Sequence, residues 1–402
     1  MSYKKFAADH IFDGYRLMTG NNVLITDKSG IISDIVDVKD AGEGILFSNG
    51  ILCPGFINAH CHLELSHLKG FIPEHTGLVD FILRIVKDRH FAEEKIFEAI
   101  ANAEEEMLLN GIVAVGDICN NTLTIPQKKL QRLHYHNFIE VSGFPPSIAT
   151  MRFEKSKTIL DTYNASLLTH HSSLSPHAPY SVSPELFQLI NSETADQTIT
   201  IHNQEVKEEN DFFQLGEGDL LSLYKELDID ISFFRPSGKS SLQTFIPYII
   251  NGQSVILVHN VKTTKEDIEF AKQRTTNKEQ RTTNYQPPTY FCLCPNANLY
   301  ISGTLPDVDL LINTTSNIIL GTDSLASNHQ LSIWEEIKTL QKNFPSLSME
   351  SLLQWATING AKALGMERRL GSFEIGKQPG ILLLQDLNDT MQLQNGRVSR
   401  LI

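Results

Sequence analysis

The sequence predicts an α/β protein built as a TIM-like (β/α)8 barrel, and three observations carry that reading. Eight short apolar runs, each the length of a buried strand, alternate with helix signals through the middle of the 402-residue chain. Titratable, metal-competent side chains stand at the C-terminal ends of several of those runs, where barrel chemistry is placed. No G-x-G-x-x-G turn follows an early strand, which weighs against an open doubly wound sheet.

Residues 1–52 hold short alternating runs broken by Gly and Asp, such as Asn22–Thr26 and Gly30–Val36, and read as hairpin strands. The apolar run Ile51–Ile57 then leads into His60-Cys61-His62. Alternate side chains of a strand share a face, so these two imidazoles point together and Cys61 points away. The strand candidates that follow are Gly111–Cys119, Asn137–Phe144, Ser166–Ser172, Thr198–His202, Ser254–His259, Thr289–Cys294 and Asn317–Leu320. Between them, Ser183-Pro184-Glu185 reads as an N-cap with Pro at the first helical position. Ser332–Lys342 and Ser351–Leu364 carry helical periodicity. The last stretch, 366–402, returns to β-like runs such as Gly380–Leu384.

Two segments break the rhythm. Val206–Ser240 carries Phe212-Phe213 and Phe233-Phe234 in polar surroundings; it reads as a lid over the barrel mouth or as an excursion whose aromatics pack on the barrel. Gln273–Asn277 recurs as Gln280–Asn284 and reads as a surface loop, two copies being too few for a repeat fold.

Composition narrows the function. The chain is 41% hydrophobic and 20% charged, enough for a full core. Its formal charge of −13 argues against nucleic acid as a partner. No apolar stretch is long enough to span a membrane, and the N-terminus lacks a signal core, so a cytoplasmic location is expected. Five cysteines, an odd number in apolar surroundings, suit free buried thiols; Cys292-x-Cys294 reads as two core thiols.

The strand ends supply His60 and His62, then His202, His259 and Asp323. Several imidazoles and a carboxylate converging without a cation would strand buried polar groups, so together they point to a metal site. Glu205 follows His202 as H-x-x-E, a spacing that sets a carboxylate just beyond the ligand, where a proton carrier is needed. Glu64, two residues past His62, keeps the inward parity if the strand persists; the other reading is a salt bridge with Lys69.

Pro54-Gly55-Phe56-Ile57-Asn58-Ala59-His60-x-His62, His202-x-x-Glu205, His259 and Gly321-Thr322-Asp323 resemble the amidohydrolase superfamily, in its mononuclear deaminase and chlorohydrolase branch. Gly111–Asp117, Ser175–Ser181, Cys294–Leu299 and Asn359–Gly365 match that branch too, whereas Gly376-Lys377-Gln378-Pro379-Gly380 departs from its usual Gly-Lys-x-Ala-Asp. The resemblance implies a barrel over 53–365 and one small β-sandwich formed by 1–52 and 366–402. It implies His60, His62, His202 and Asp323 as ligands of one divalent ion, Zn²⁺ or alternatively Fe²⁺, with Glu205, His259 and Asp323 catalytic. The bridging lysine of binuclear members has no counterpart at Leu168–His171, so one metal is expected. His177 and Glu64 are the expected substrate contacts. The implied activity is hydrolytic deamination of a purine nucleoside, 6-aminodeoxyfutalosine first, with His62–Ser66 and Gly321–Asn328 carrying that preference. Guanine deamination, chlorohydrolysis and imino-group hydrolysis are the alternatives within the enzymes, and a non-catalytic metal scaffold lies outside them. The expected partner is a small molecule, and a homodimer is compatible with the sequence.

Overall fold

The computed structural model describes residues 3–167, 171–250, 252–274, 287–387 and 393–402. Eight parallel strands form its centre: β1 (Phe56–Cys61), β2 (Ile112–Cys119), β3 (His134–Val141), β4 (His171–Pro176), β5 (Thr198–Asn203), β6 (Ser254–His259), β7 (Thr289–Leu293) and β8 (Ile318–Leu320). They lie in two four-stranded sheets, β1 to β4 and β5 to β8, each in sequence order. Crossover segments with helices join them, which suits strands that are buried almost throughout.

The outer strands of the two sheets touch on both sides. At β4 and β5, the Ser173 hydroxyl donates to the Thr198 carbonyl at 2.7 Å and the His202 N–H to the His177 carbonyl at 3.0 Å. At β8 and β1, the N–H groups of Thr322 and Asp323 both donate to the His60 carbonyl, at 3.0 and 3.1 Å.

Several strand boundaries differ from expectation. The run Ile51–Ile57 serves two sheets. Ile45–Pro54 pairs with the chain ends, and β1 starts only at Phe56. Gly55 makes the crossing, because a Cβ there would lie 2.6 Å from the Pro379 carbonyl oxygen and 2.3 Å from Val113. The fourth strand is not Ser166–Ser172 but His171–Pro176, since the helix Ala149–Ser166 runs through the start of the expected span. Its serines hid it: the neighbouring strand satisfies Ser173 and Ser175 inside the core, so a polar sequence fills a buried strand. The third strand lies three residues earlier than read. Ser351–Leu364 is two helices, Met349–Ala356 and Ile358–Ala363, broken at Thr357. The cap at Ser183 is as expected, and Ser332 caps its helix in the same way, each hydroxyl accepting a first-turn N–H.

Both chain ends meet in one seven-stranded sheet, where Ile381–Leu387 pairs with Ile45–Pro54 and with Leu393–Arg400. Along Lys4–Phe12, Phe6 and Ala7 enter different apolar clusters, one with Leu24, Leu52 and Ile381 and the other with Val23 and Ala41. All five cysteines are free and buried. Most of the Gln273–Asn284 duplication and Leu168–His170 lie outside the described residues. No helix among the described residues is long and apolar enough to cross a membrane.

Candidate active site

The C-terminal ends of β1, β5 and β8 bring four residues together. His60 and His62 place their Nε2 atoms 3.2 Å apart, and His202 Nε2 lies 3.3 Å from that of His62. Asp323 Oδ1 lies 3.5 and 3.4 Å from the His60 and His62 Nε2 atoms. One ligand atom from each of the four falls within 4.8 Å of all the others.

Local structure fixes each donor. Gly321 lets β8 approach β1, since a Cβ there would meet the His60 Cβ at 2.8 Å. Asp323, at a left-handed φ of 58°, turns its carboxylate into the cluster, and Ser327 donates to Oδ2 at 2.6 Å so that Oδ1 faces the imidazoles. His202 Nδ1 donates to the His177 carbonyl at 2.7 Å. A neutral His202 therefore carries its proton on Nδ1 and a bare lone pair on Nε2.

Burial lowers the pKa of His62, holds His202 well below its ordinary value with help from His177, and takes His259 down to about 3. Burial opposes the Asp323 charge, but the His60 hydrogen bond and the surrounding imidazoles keep its carboxyl well below the usual range. Neutral imidazoles and one carboxylate are what a divalent ion binds. Two donors on a tetrahedral zinc with bonds of about 2.0–2.1 Å sit about 3.3–3.4 Å apart. The separations of 3.2 to 3.5 Å fit that spacing.

Beside the cluster, Glu205 Oε2 lies 3.7 Å from His259 Nε2. Glu205 is buried rather than solvated; burial first, then the charges of Asp323 and Glu209, push its carboxyl well above the usual range. The Asn298 amide lies 3.0 Å from His259 Nδ1 and sets the ring's orientation. Gln204, His259 and Asn260 have φ of 47°, 76° and 59°. Non-glycine residues hold such values only where their surroundings enforce them, and here they lie at and beside Glu205 and His259.

A cavity of about 580 Å³ opens over these residues. Glu64 reaches it through the 3₁₀ turn Leu63–Leu68, not through strand parity, because β1 ends at Cys61. Its Oε2 accepts the Asn120 N–H at 3.0 Å, its Oε1 has no protein partner, and burial pushes it to about 7. Lys69 pairs instead with Glu106. His177 also lines the cavity, with Nδ1 2.7 Å from the Ser181 hydroxyl.

The apolar wall comes from Phe81, Ile82 and Ile85 of the helix Leu78–Asp88, with Phe144, Tyr224 and Leu227. Of Val206–Ser240, read as a lid or as an excursion packed on the barrel, the phenylalanines Phe212, Phe213, Phe233 and Phe234 do not line the cavity. Phe212 and Phe213 are buried, Phe212 stacks on Phe234 at 4.1 Å, and the pairs back the wall from behind. Within the segment Val206–Ser240, Leu223, Tyr224, Leu227 and Ile229 are the residues that reach the cavity.

Sequence reasoning missed several contributors. Asn298 and Ser327 stood inside recognised motifs without a role. Asp117 accepts the Leu63 N–H at 2.8 Å, just past His62, and is itself held by the buried Lys128 at 2.5 Å. Glu140 and Arg152 line the cavity, and nothing local in the sequence marks them.

The amidohydrolase family model matches residues 51–399. The chain belongs to the amidohydrolase family. Among curated relatives of this amidohydrolase, the 5-methylthioadenosine/S-adenosylhomocysteine deaminase of Teredinibacter turnerae is 28% identical over 380 residues, covering 90% of this chain and 77% of the relative. The crystal structure of Helicobacter pylori aminofutalosine deaminase with methylthio-coformycin shares the fold, with a TM-score of 0.78 and 20% identity over 99% of this chain and all of that one. An adenosine deaminase from Xanthomonas campestris with bound zinc has a TM-score of 0.70 and 21% identity, covering 94% of this chain and 84% of that one.

Proposed function

We propose that this amidohydrolase is a hydrolase of carbon–nitrogen bonds that deaminates a 6-aminopurine nucleoside, with 6-aminodeoxyfutalosine the first choice of substrate. The observation that carries the reading is Glu205, buried 3.7 Å from His259 at the edge of the four-donor cluster. A purely structural metal site needs neither group, whereas hydrolytic deamination needs a proton carrier and a partner for the attacking water. Names of the relatives, among them deaminases of methylthioadenosine, S-adenosylhomocysteine and aminofutalosine, support the substrate class.

In this reading His60, His62, His202 and Asp323 hold one divalent ion, Zn²⁺ before Fe²⁺. When bound, the ion supplies Lewis acidity that brings the pKa of a water toward neutrality. His259, its ring set by Asn298, hydrogen-bonds the attacking water and with Asp323 orients it. Glu205 gives its proton to a ring nitrogen, takes up the proton the attacking water loses and passes it to the leaving amine, and is reprotonated by the added hydroxyl as the carbonyl forms, a task that suits a carboxyl raised by burial. The free Oε1 of Glu64 accepts a sugar hydroxyl or ring N–H, and His177 contacts the substrate from the β4 side. The apolar wall of Phe81, Ile82, Ile85 and Tyr224 suits an extended apolar substituent on the sugar.

The two four-stranded sheets are read as one closed (β/α)8 barrel over 53–365, which the contacts at both seams support. The sheet of 1–52 and 366–402 is read as a separate, sandwich-like domain with an apolar cluster on each face. Loss of the adenine absorbance band and ammonia release, measured with metal present, test the activity. The panel is adenosine, S-adenosylhomocysteine, methylthioadenosine, 6-aminodeoxyfutalosine and guanine. Turnover of a nucleoside is expected. Reaction of guanine alone would overturn the nucleoside assignment, and silence from all five would point to a non-purine hydrolase.

A further inference from the structure

The turn after β5 carries a second buried carboxylate, Glu209, in the first turn of the helix Lys207–Leu215. Its Oε1 accepts the Gln204 N–H at 3.0 Å, its Oε2 accepts the Glu205 N–H at 3.3 Å, and the Ser241 hydroxyl donates to Oε1. This is not a capping box. Such a box would return the side chain of the third helical residue to the N–H of the cap, Val206, whereas Glu209 reaches one and two residues further back. No cation pairs with Glu209 among the described residues, so its acceptor capacity goes to two consecutive backbone N–H groups and one hydroxyl.

Those N–H groups belong to the residue before Glu205 and to Glu205 itself. Gln204 holds a left-handed φ of 47° and is gripped from other sides as well. Its amide nitrogen donates to Asp267 at 2.9 Å and Asn210 at 3.1 Å, Thr263 donates to its amide oxygen at 2.7 Å, and its carbonyl accepts the Lys262 N–H at 2.8 Å. Within this frame Glu209 alone binds the Glu205 backbone through a side chain among the described residues. A backbone in a sparsely populated region persists only where the surroundings over-determine it, and such strain gathers where a side chain must be aimed.

We infer that Glu209 is a positioning residue: by holding the Gln204 and Glu205 N–H groups, it aims the Glu205 carboxylate at His259 without touching substrate. The inference rests on the reading of Glu205 as the proton carrier. A displacement of about 1 Å at a reacting group costs on the order of 10²-fold in rate.

The test compares Glu209→Ala, Glu209→Gln, Glu205→Gln and the double variant E205Q/E209A, on the best nucleoside of the panel. Glu209→Ala is expected to lower kcat about 10²-fold while KM and bound metal stay unchanged. Glu209→Gln keeps one acceptor oxygen and recovers part of the loss. E205Q/E209A should turn over no slower than Glu205→Gln, because a residue acting through Glu205 has nothing further to lose. Amide hydrogen exchange gives a readout free of turnover: in Glu209→Ala the Gln204 and Glu205 amides should exchange faster, with β5 still protected. Unchanged exchange at those two amides, a multiplicative loss in the double variant, or loss of metal together with kcat would each overturn the inference. Full turnover by Glu205→Gln alone would instead sink the reading of Glu205 as the proton carrier, while the exchange experiment still reports on Glu209.

Discussion

Replacing Glu64 by Gln isolates one hydrogen bond in the proposed substrate contacts. Glu64 is 2% exposed, with one oxygen committed to the Asn120 N–H and the other buried without a protein partner. In the variant, the Asn120 N–H keeps the amide oxygen where Oε2 was, so the NH₂ takes the place of the unpartnered Oε1. An acceptor for a substrate hydroxyl or ring N–H thereby becomes a donor. Above pH 7, where Glu64 is ionised, a hydrogen bond to a charged group contributes about 1.5–3 kcal/mol, which at 1.36 kcal/mol per decade is about 10- to 150-fold in kcat/KM. The loss should lie mainly in KM, because Glu64 does not meet the leaving amine. Steady-state kinetics on the best nucleoside and on its free base, with bound metal measured alongside, make the assay. A loss confined to the nucleoside assigns Glu64 to the sugar, and an equal loss on the base assigns it to a ring N–H. A kcat/KM within threefold of the parent on both, with metal retained, would refute the role.

Lys128→Met removes the cation from a fully buried pair with Asp117 and should destabilise the protein by about 3–5 kcal/mol, read as a lowered calorimetric midpoint. The double variant D117N/K128M should recover most of it, since Asn still accepts the Leu63 N–H. Purified protein should hold about one metal equivalent, and chelation should lower its melting temperature, because an ion bound only by the native state stabilises it. Two tightly held equivalents, both lost in His60→Ala, would contradict a single site. Glu336, pushed to about 8 by burial, stays protonated in the native state while the unfolded chain ionises from about 4.5. Its contribution to stability is present below that value and lost as pH rises toward about 8. Glu336→Gln should therefore flatten the decline of the melting temperature between pH 5 and 8, and an unchanged slope would count against the burial argument.

The strands that deliver these groups were legible because each is a plain apolar run with a metal-competent group at or near its end: β5 ends one residue past His202, β6 at His259, and β8 stops just short of Asp323. The N-cap at Ser183 was legible for the same local reason. The fourth strand was not, because Ser173 and Ser175 are satisfied by the next strand, and that pairing is a tertiary fact no local pattern contains. Glu64 was found by strand parity, yet it reaches the cavity through a 3₁₀ turn. Glu209 was missed: in Lys207-Glu208-Glu209 nothing local sets it apart, and only the backbone turn after β5 turns it inward. Asn298 lies 39 residues from His259, and only the adjacency of β6 and β7 brings them together.

The central claim is that Glu205 carries protons for a reaction at the His60, His62, His202 and Asp323 cluster. Glu205→Gln tests it most directly, with turnover of the best nucleoside and bound metal measured on the same preparation. The account predicts that the variant keeps its metal and its melting temperature while kcat falls about 10² to 10⁴-fold. Metal retained with kcat within a few-fold of the parent would contradict it.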